Sequence, residues 1–328
     1  MRRRDLARLA LAGGAVLAAP AVRAQGGGAG AWPSRPIRLI VPFTPGGSTD
    51  GMARLAGQKL QERLGQTVIV ENRPGGNGTV GGIAVAQSAP DGHTFCASAS
   101  IQVMARWVMR NPGYDPLADL VPVARTGQGP LLLCISPTRS PASITDLVAA
   151  VKADPRAWTF GTSSLGAAGH LATVEFNRLT GLDIPIASYR GTAPAVQDLV
   201  AGNIQLMVDP MLAMVPQVRG GRVRALAISQ ARRSAAAQEV PSAPEAGLPG
   251  WEFFSWWGLW APRGIPAEIA ARVNAALQKG MREPEVVSRL TDMGIEAVAE
   301  SPEAFAGFIQ RDVARNSELL RLARFEPE

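Results

Sequence analysis

The chain has 328 residues, 46% hydrophobic and 18% charged, with a formal net charge of +6. That length and balance suit a globular protein large enough for two domains with a substantial core. Apart from Lys59, Lys152 and Lys279 the basic residues are arginines, scattered rather than interleaved with aromatics, which argues against nucleic-acid binding and leaves a mild positive field suited to an anionic solute. The two histidines, His93 and His170, are far apart and no carboxylates cluster, so neither metal nor cofactor is expected. Cys96 and Cys134 lie in apolar strand-like segments without a C-x-x-C spacing, which leaves a disulfide and two buried thiols both open.

Residues 1–24 read as an export signal: Arg2, Arg3 and Arg4, then the apolar run Leu9 to Pro20, then Val22-Arg-Ala24 before Gln25. The run is too short for a comfortable membrane span, with an uncleaved anchor as the alternative. The consecutive arginines permit either a Sec or a twin-arginine route, so the expected location is periplasmic. Residues 25–31 form a Gly/Ala-rich flexible leader.

Thereafter short apolar strands alternate with amphipathic helices. Strands are predicted at Ile37–Val41, Val68–Glu71, Thr94–Ala97, Leu131–Ile135, Thr159–Gly161, Ile204–Val208 and Val223–Ile228. Helices are predicted over Asp50–Leu64, Val80–Gln87, Ile144–Ala153, Gly169–Thr180, Ala193–Ala201, Met211–Gly220, Ala267–Met281, Glu283–Met293 and Pro302–Arg321. This order argues for an α/β fold built of βαβ units with parallel strands. Ser301-Pro302 reads as an N-cap followed by proline at the first helical position. The segment from Ala267 is too apolar for a solvated appendage and should pack back onto a sheet. Gly127-Gln-Gly-Pro130 and the stretch Ser234 to Gly250 are turn-rich and serve as candidate crossings between two lobes. The expected division is residues 32–130 and 231–328 in lobe 1 and 131–230 in lobe 2, with a cleft between.

The most informative stretch is Ile37 to Asp50. A β-branched run ends in Phe43-Thr-Pro-Gly-Gly-Ser48, with Asp50 in the first turn of a helix. Such a junction offers free backbone N–H groups and the positive end of a helix dipole to a carboxylate or phosphate. It is neither a Walker A loop nor a dinucleotide fingerprint, and an ordinary turn is the plain alternative. A second loop, Gly161-Thr-Ser-Ser-Leu-Gly-Ala-Ala-Gly-His170, repeats the logic and makes Thr162, Ser163, Ser164, Gly166, Ala167 and His170 candidates. Together the loops could grip a dicarboxylate from both ends. Asp209, at the end of a strand, and Ser98 and Ser100 are further candidates by position. The competing reading is an exported hydrolase using Ser163 or Ser164 with His170 and Asp209, although no Gly-x-Ser-x-Gly elbow is present. Trp251, Trp256, Trp257 and Trp260 around Phe253-Phe254 suit burial between lobes better than a platform for an aromatic or sugar ligand.

Ordered short motifs carry a family resemblance over nearly the whole mature chain: Trp32-Pro-Ser-Arg-Pro-Ile-Arg-Leu-Ile-Val-Pro-Phe43, Pro45-Gly-Gly-Ser-Thr-Asp50, Glu71-Asn-Arg-Pro-Gly75, Ala89-Pro-Asp-Gly92, Tyr114-Asp-Pro116, Tyr189-Arg-Gly-Thr-Ala-Pro194 and Trp257-Gly-Leu-Trp-Ala-Pro262. The sequence resembles the Bug (TctC) family of periplasmic solute-binding proteins of tripartite tricarboxylate transporters. The resemblance implies a type II periplasmic-binding-protein fold, with two α/β lobes and mixed sheets around a central cleft that closes like a flytrap. It also implies a non-enzymatic receptor, monomeric, whose ligand is a small organic acid and whose partners are membrane transporter subunits or a sensor. The ligand carboxylates would be gripped by Thr44–Asp50 and Gly161–His170, largely through backbone amides and ordered water. Where the family often has hydroxyl residues before the second-loop histidine, this chain has Ala167, Ala168 and Gly169. That leaves more of the recognition to the backbone.

Overall fold

The computed structural model describes residues 32–327; the signal and leader expected over 1–31 lie outside them. Strand β1 (Ile37–Val41) pairs in parallel with β2 (Val68–Asn72) and β3 (Thr94–Ala99). The long strand β4 (Leu120–Ile135) runs antiparallel to β9 (Phe254–Pro262) from Leu120 to Pro130. From Leu131 onward it pairs instead with β7 (Leu206–Pro210) on one side and β8 (Arg224–Ile228) on the other, both antiparallel. Beyond β7 lie β5 (Phe160–Thr162) and β6 (Ile186–Ser188), parallel to each other. A two-residue strand, β10 (Glu296–Ala297), edges β4. The result is a mixed sheet in the order β2-β1-β3-β9-β4-β7-β5-β6.

Helices connect the parallel strands, as a right-handed crossover requires. They are α1 (Ser48–Leu64), α2 (Thr79–Ala86), the single turn α3 (Ala105–Val108), α4 (Ile144–Ala153), α5 (Ala168–Thr180), α6 (Thr192–Ala201) and α7 (Met211–Arg219). The tail supplies α8 (Ala267–Met281), α9 (Pro284–Thr291) and α10 (Pro302–Leu322). Ser143 and Ser301 cap α4 and α10 through hydrogen bonds from Asp146 N and Ala304 N, the second as the Ser-Pro signal anticipates. Along β4 the pleat sends Leu131, Leu133 and Ile135 into one core and Leu132 and Cys134 into another, so this strand is buried on both faces. Cys96 and Cys134 are free, buried thiols.

Two expectations need correction. The stretch Gly127 to Pro130, read as a turn, lies inside β4. Its glycines answer a steric demand: a Cβ at Gly129 would sit 2.5 Å from Ile295 Cδ1 and 2.8 Å from the carbonyl oxygen of Gly294. Strand β9 was not anticipated, because its four-residue aromatic density masks the alternation of a strand. The sheet is mixed, as the family resemblance implies, since β4 and β9 enter antiparallel beside the parallel βαβ strands.

The tail does pack back onto the sheet. Phe305 of α10 is fully buried, with its ring 5.6 Å from that of Trp256 and 5.5 Å from that of Trp260. Phe305→Ala should therefore cost about 3–5 kcal/mol, read as a lower urea midpoint at unchanged slope. A loss below about 1 kcal/mol would mean that α10 contributes little to the core.

Candidate functional site

Strands β1, β5, β6 and β7 each end in a turn that opens a helix, and all four turns come together around one cavity. Its empty volume is about 490 Å³, counted to its open mouth. From β1 and α1 come Phe43, Thr44 and Gly47 to Asp50; from the β5 turn and α5, Ser163, Ser164 and Ala167 to Gly169. Gly191 and Thr192 open α6, and Asp209 and Pro210 lead into α7. This is the carboxyl-terminal edge of the parallel strands, where α/β folds gather ligands. The four helices begin at Gly47, Ala167, Gly191 and Pro210, and none of these positions provides a side-chain cap. First-turn N–H groups have no intrahelical acceptor, and here four helix ends without a side-chain cap bring these groups and their positive dipole ends to one space.

The wall opposite comes from β3 and β9. In β9 the pleat turns Trp256 and Trp260 towards Phe305, and Ser255 and Trp257 towards the cavity. The register pairs Ala99 with Trp257, bringing Ala99, Ser100 and Ile101 alongside. Trp251 and Trp256 spend their indole N–H groups on Ala172 O at 2.8 Å and Asp312 Oδ2 at 3.1 Å, so most of the tryptophan cluster is core.

Among the described residues, five buried side-chain polar atoms without a hydrogen-bond partner belong to residues lining this cavity: Thr44 Oγ1, Ser48 Oγ, Ser100 Oγ, Asp209 Oδ1 and Trp257 Nε1. Buried polar groups are ordinarily satisfied, so such a concentration makes this cavity the candidate binding site.

Asp50 acts differently from a ligand contact. Arg54 clasps its carboxylate at 2.9 and 3.0 Å, Asn72 Nδ2 donates to Oδ1 at 3.0 Å and Gly46 N to Oδ2 at 3.1 Å. Burial works against its charge, but these hydrogen bonds outweigh it and hold the carboxyl below its ordinary range. The same Asn72 amide donates to Phe43 O at 3.0 Å. Asp50 thus fixes the loop on which Gly46, in the left-handed region at φ 85°, turns the chain towards the cavity.

Of the residues singled out in the sequence, Phe43, Thr44, Gly47, Ser48, Asp50, Ser100, Ser163, Ser164, Ala167 and Asp209 line the cavity. Pro45, Gly46, Ser98, Thr162, Gly166 and His170 do not. Pro45 and Gly46 are exposed on the outer side of the turn. Thr162 Oγ1 donates to Ser164 O at 3.2 Å, and Gly166 packs on Met104 and Val108. His170 is buried with Nδ1 accepting from Gly166 N at 3.1 Å and its ring 5.1 Å from Phe325; burial lowers its pKa to about 4. Ser164 Oγ donates to Asn77 Oδ1. The serine–histidine pair of the hydrolase reading is not assembled. Gly191, Thr192 and Ser255 escaped the sequence reading, and Trp257 was read there as buried with the rest of its cluster rather than as lining a site. The run Arg190-Gly-Thr192 between a strand and a helix carried the signal for the first two; Ser255 and Trp257 required knowledge of the β9 pleat.

Beside Ser164, Asn77 straps two loops together. Its Nδ2 donates to Leu165 O at 2.8 Å, and its Oδ1 accepts from Leu165 N at 2.9 Å. Asn77 sits at φ 54°, so Asn77→Gly preserves the backbone while deleting the strap. The variant should lose about 1–3 kcal/mol of stability and show faster amide hydrogen exchange over residues 163–166. Unchanged exchange there would mean that another contact holds the loop.

Comparison with known proteins agrees with this architecture. Residues 52–324 match the family model described as "Tripartite tricarboxylate transporter family receptor". The chain is 37% identical over 292 residues to Protein BugT of Bordetella pertussis, covering 88% of this chain and 90% of that one. Among solved structures it resembles Rhodopseudomonas palustris Rpa4515 with adipate, at 34% identity and TM-score 0.88 over 91% of this chain and 100% of that chain. It also resembles MatC from the same organism with bound malate, at 32% identity and TM-score 0.83 over 88% and 99%. With its periplasmic-binding-protein fold, the chain belongs to the TctC, or Bug, family of tripartite tricarboxylate transporter receptors.

Proposed function

We propose that this protein is an exported, non-catalytic receptor that captures a small carboxylate in the cavity between its helix N-termini and passes it, as a monomer, to a membrane partner. The observation that carries the reading is the set of five unpartnered buried polar atoms at the meeting point of four uncapped helices. Each helix end favours an anion by about 0.3–1 kcal/mol, more when shielded from water, and the free N–H groups supply the hydrogen bonds. Among the described residues no lysine, arginine or histidine lines the cavity, so recognition falls to the backbone, to hydroxyls and to the Trp257 indole. Two related structures hold adipate and malate, both carboxylates.

The proposed division into lobes, 32–130 with 231–328 and 131–230, is supported by the change of β4 partners at Pro130 and Leu131. Closure then follows ligand affinity: an acid that contacts both sides of the cavity favours the closed form by the free energy of the additional contacts.

In a thermal-shift panel of mono-, di- and tricarboxylates with their matching amides, a true ligand at a hundred times its Kd should add about 2.7 kcal/mol of stability. Amides as effective as acids would sink the carboxylate reading. Gly47→Val places branched methyls beside Thr192, whose Cβ lies 3.4 Å from where a Cβ would stand, and should weaken binding by well over tenfold. Ser48→Ala offers an internal control. Removing a buried hydroxyl that lacks a partner should raise the stability of the unliganded protein by about 1 kcal/mol while lowering acid affinity by about fivefold or more. Loss of both would mean the hydroxyl serves the fold alone.

A further inference from the structure

We propose that Asp209 carries a proton when the cavity is filled and donates it, from Oδ1, in a hydrogen bond to the carboxylate of the ligand. The inference rests on the carboxylate reading above and adds what that reading leaves unresolved: an acidic side chain in the wall of an anion site. Asp209 is fully buried, its Oδ2 accepting from Thr192 Oγ1 at 2.8 Å and its Oδ1 unpartnered. The other carboxylate in the wall, Asp50, has both oxygens engaged by Arg54, Asn72 and Gly46.

None of the elements packed around Asp209 brings it a cation. On β4 the buried Cys134 stays a thiol, with burial and the neighbouring Asp209 both disfavouring its thiolate. On α5, His170 is neutral and committed to Gly166 N. On α6 the neighbour is the Thr192 hydroxyl, while Asp198 is tied to Tyr189 and Asn203. On α7, Arg219 at the far end bonds the carbonyl of Ala236. An ionised Asp209 would therefore face an incoming carboxylate with no counter-charge. Two carboxylates held in one site share a proton, because both cannot ionise at close range. Burial raises Asp209 to about 7, against the opposing pull of the Thr192 and Ser163 hydroxyls, so the proton is half held at neutral pH and fully held well below it. A protonated carboxyl gives Oδ1 a donor and gives the ligand a charge-assisted hydrogen bond. The proton stays on Asp209, taken up from solvent when Asp209 is ionised beforehand: the ligand keeps its negative charge and Asp209 is neutral in the complex.

The test has a ligand-free arm and a ligand arm. In the ligand-free protein, a carboxyl with a raised folded pKa loses stability as pH climbs from its unfolded value towards the folded one. Wild type should therefore fall in stability relative to Asp209→Asn from about pH 4 to about pH 7. In the ligand arm, adipate, malate and pyruvate are titrated calorimetrically from about pH 5.5 to about pH 9, in buffers of different ionisation heat. Affinity should drop towards tenfold per pH unit above the Asp209 pKa, with uptake approaching one proton per ligand. Asp209→Asn should bind with a flat pH profile. Infrared difference spectra of the wild type, read for a carboxylic-acid carbonyl on binding, give the same answer without a variant.

A pH-independent wild-type affinity would overturn the proposal and leave the carboxylate reading standing. Proton release on binding, or affinity that rises with pH, would overturn it in favour of a ligand whose ammonium group pairs with an ionised Asp209. Failure of all three acids to bind either protein at any pH would overturn the carboxylate reading and this inference together.

Discussion

The hydrogen-bonding deficit of an α-helix at its N-terminus is the constraint on which this structure turns. Each helix leaves its first N–H groups without internal acceptors, and the usual remedy is a side-chain cap. Ser143 on α4 and Ser301 on α10 supply such caps, while α2, α3, α8 and α9 go without one away from the cavity. At the cavity the chain omits the cap four times, starting helices at Gly47, Ala167, Gly191 and Pro210. The missing caps are a cost to the unliganded fold and a source of affinity once an anion supplies the acceptors. The orphaned hydroxyls and indole around them repeat the same trade with side chains.

Donors gathered at a candidate site are useful only if held still, and the surrounding contacts supply that rigidity. Asp50 joins the turn before α1 to α1 itself through Gly46 and Arg54, and joins both to β2 through Asn72. Asn77 ties the loop before α2 to the loop before α5. On the far wall, the packing of Trp256 and Trp260 against Phe305 fixes the strand that carries Trp257. The tail helices are therefore part of the binding apparatus without touching the cavity.

Much of this was legible in the sequence, and the misses share a cause. Helices α4 and α8 fall on their predicted bounds because their apolar period and flanking signals act locally. The turns after β1 and β5 were recognisable as anion sites because glycine, serine and a following helix are adjacent along the chain. What escaped depends on neighbours distant in sequence. Gly127 and Gly129 read as turn residues, yet they are small because residues 294–296 press against β4. Ser255 and Trp257 face the cavity only because β9 pairs with β3 in one register; a shift of one residue would present Trp256 in their place. His170 looked functional beside a serine-rich loop, but its ring fills a buried site and braces Gly166.

Ligand choice is set by a division of labour between these two kinds of residue. Backbone N–H groups recognise a carboxylate whatever carries it, so the four helix ends select a class and not a compound. Discrimination within the class belongs to groups whose partners must match in kind. Trp257 offers a donor only, and Thr44, Ser48 and Ser100 offer either role. A candidate acid that leaves the Trp257 N–H unpaired forfeits the cost of a buried unsatisfied donor, about 1–3 kcal/mol, which is a five- to hundredfold loss of affinity. With Ala167, Ala168 and Gly169 in place of hydroxyl side chains, the α5 end of the cavity has little such power. On the site proposed above, specificity is therefore concentrated on the β3–β9 wall and at Asp209, and the part of the ligand lying against that wall is the part the protein would tell apart.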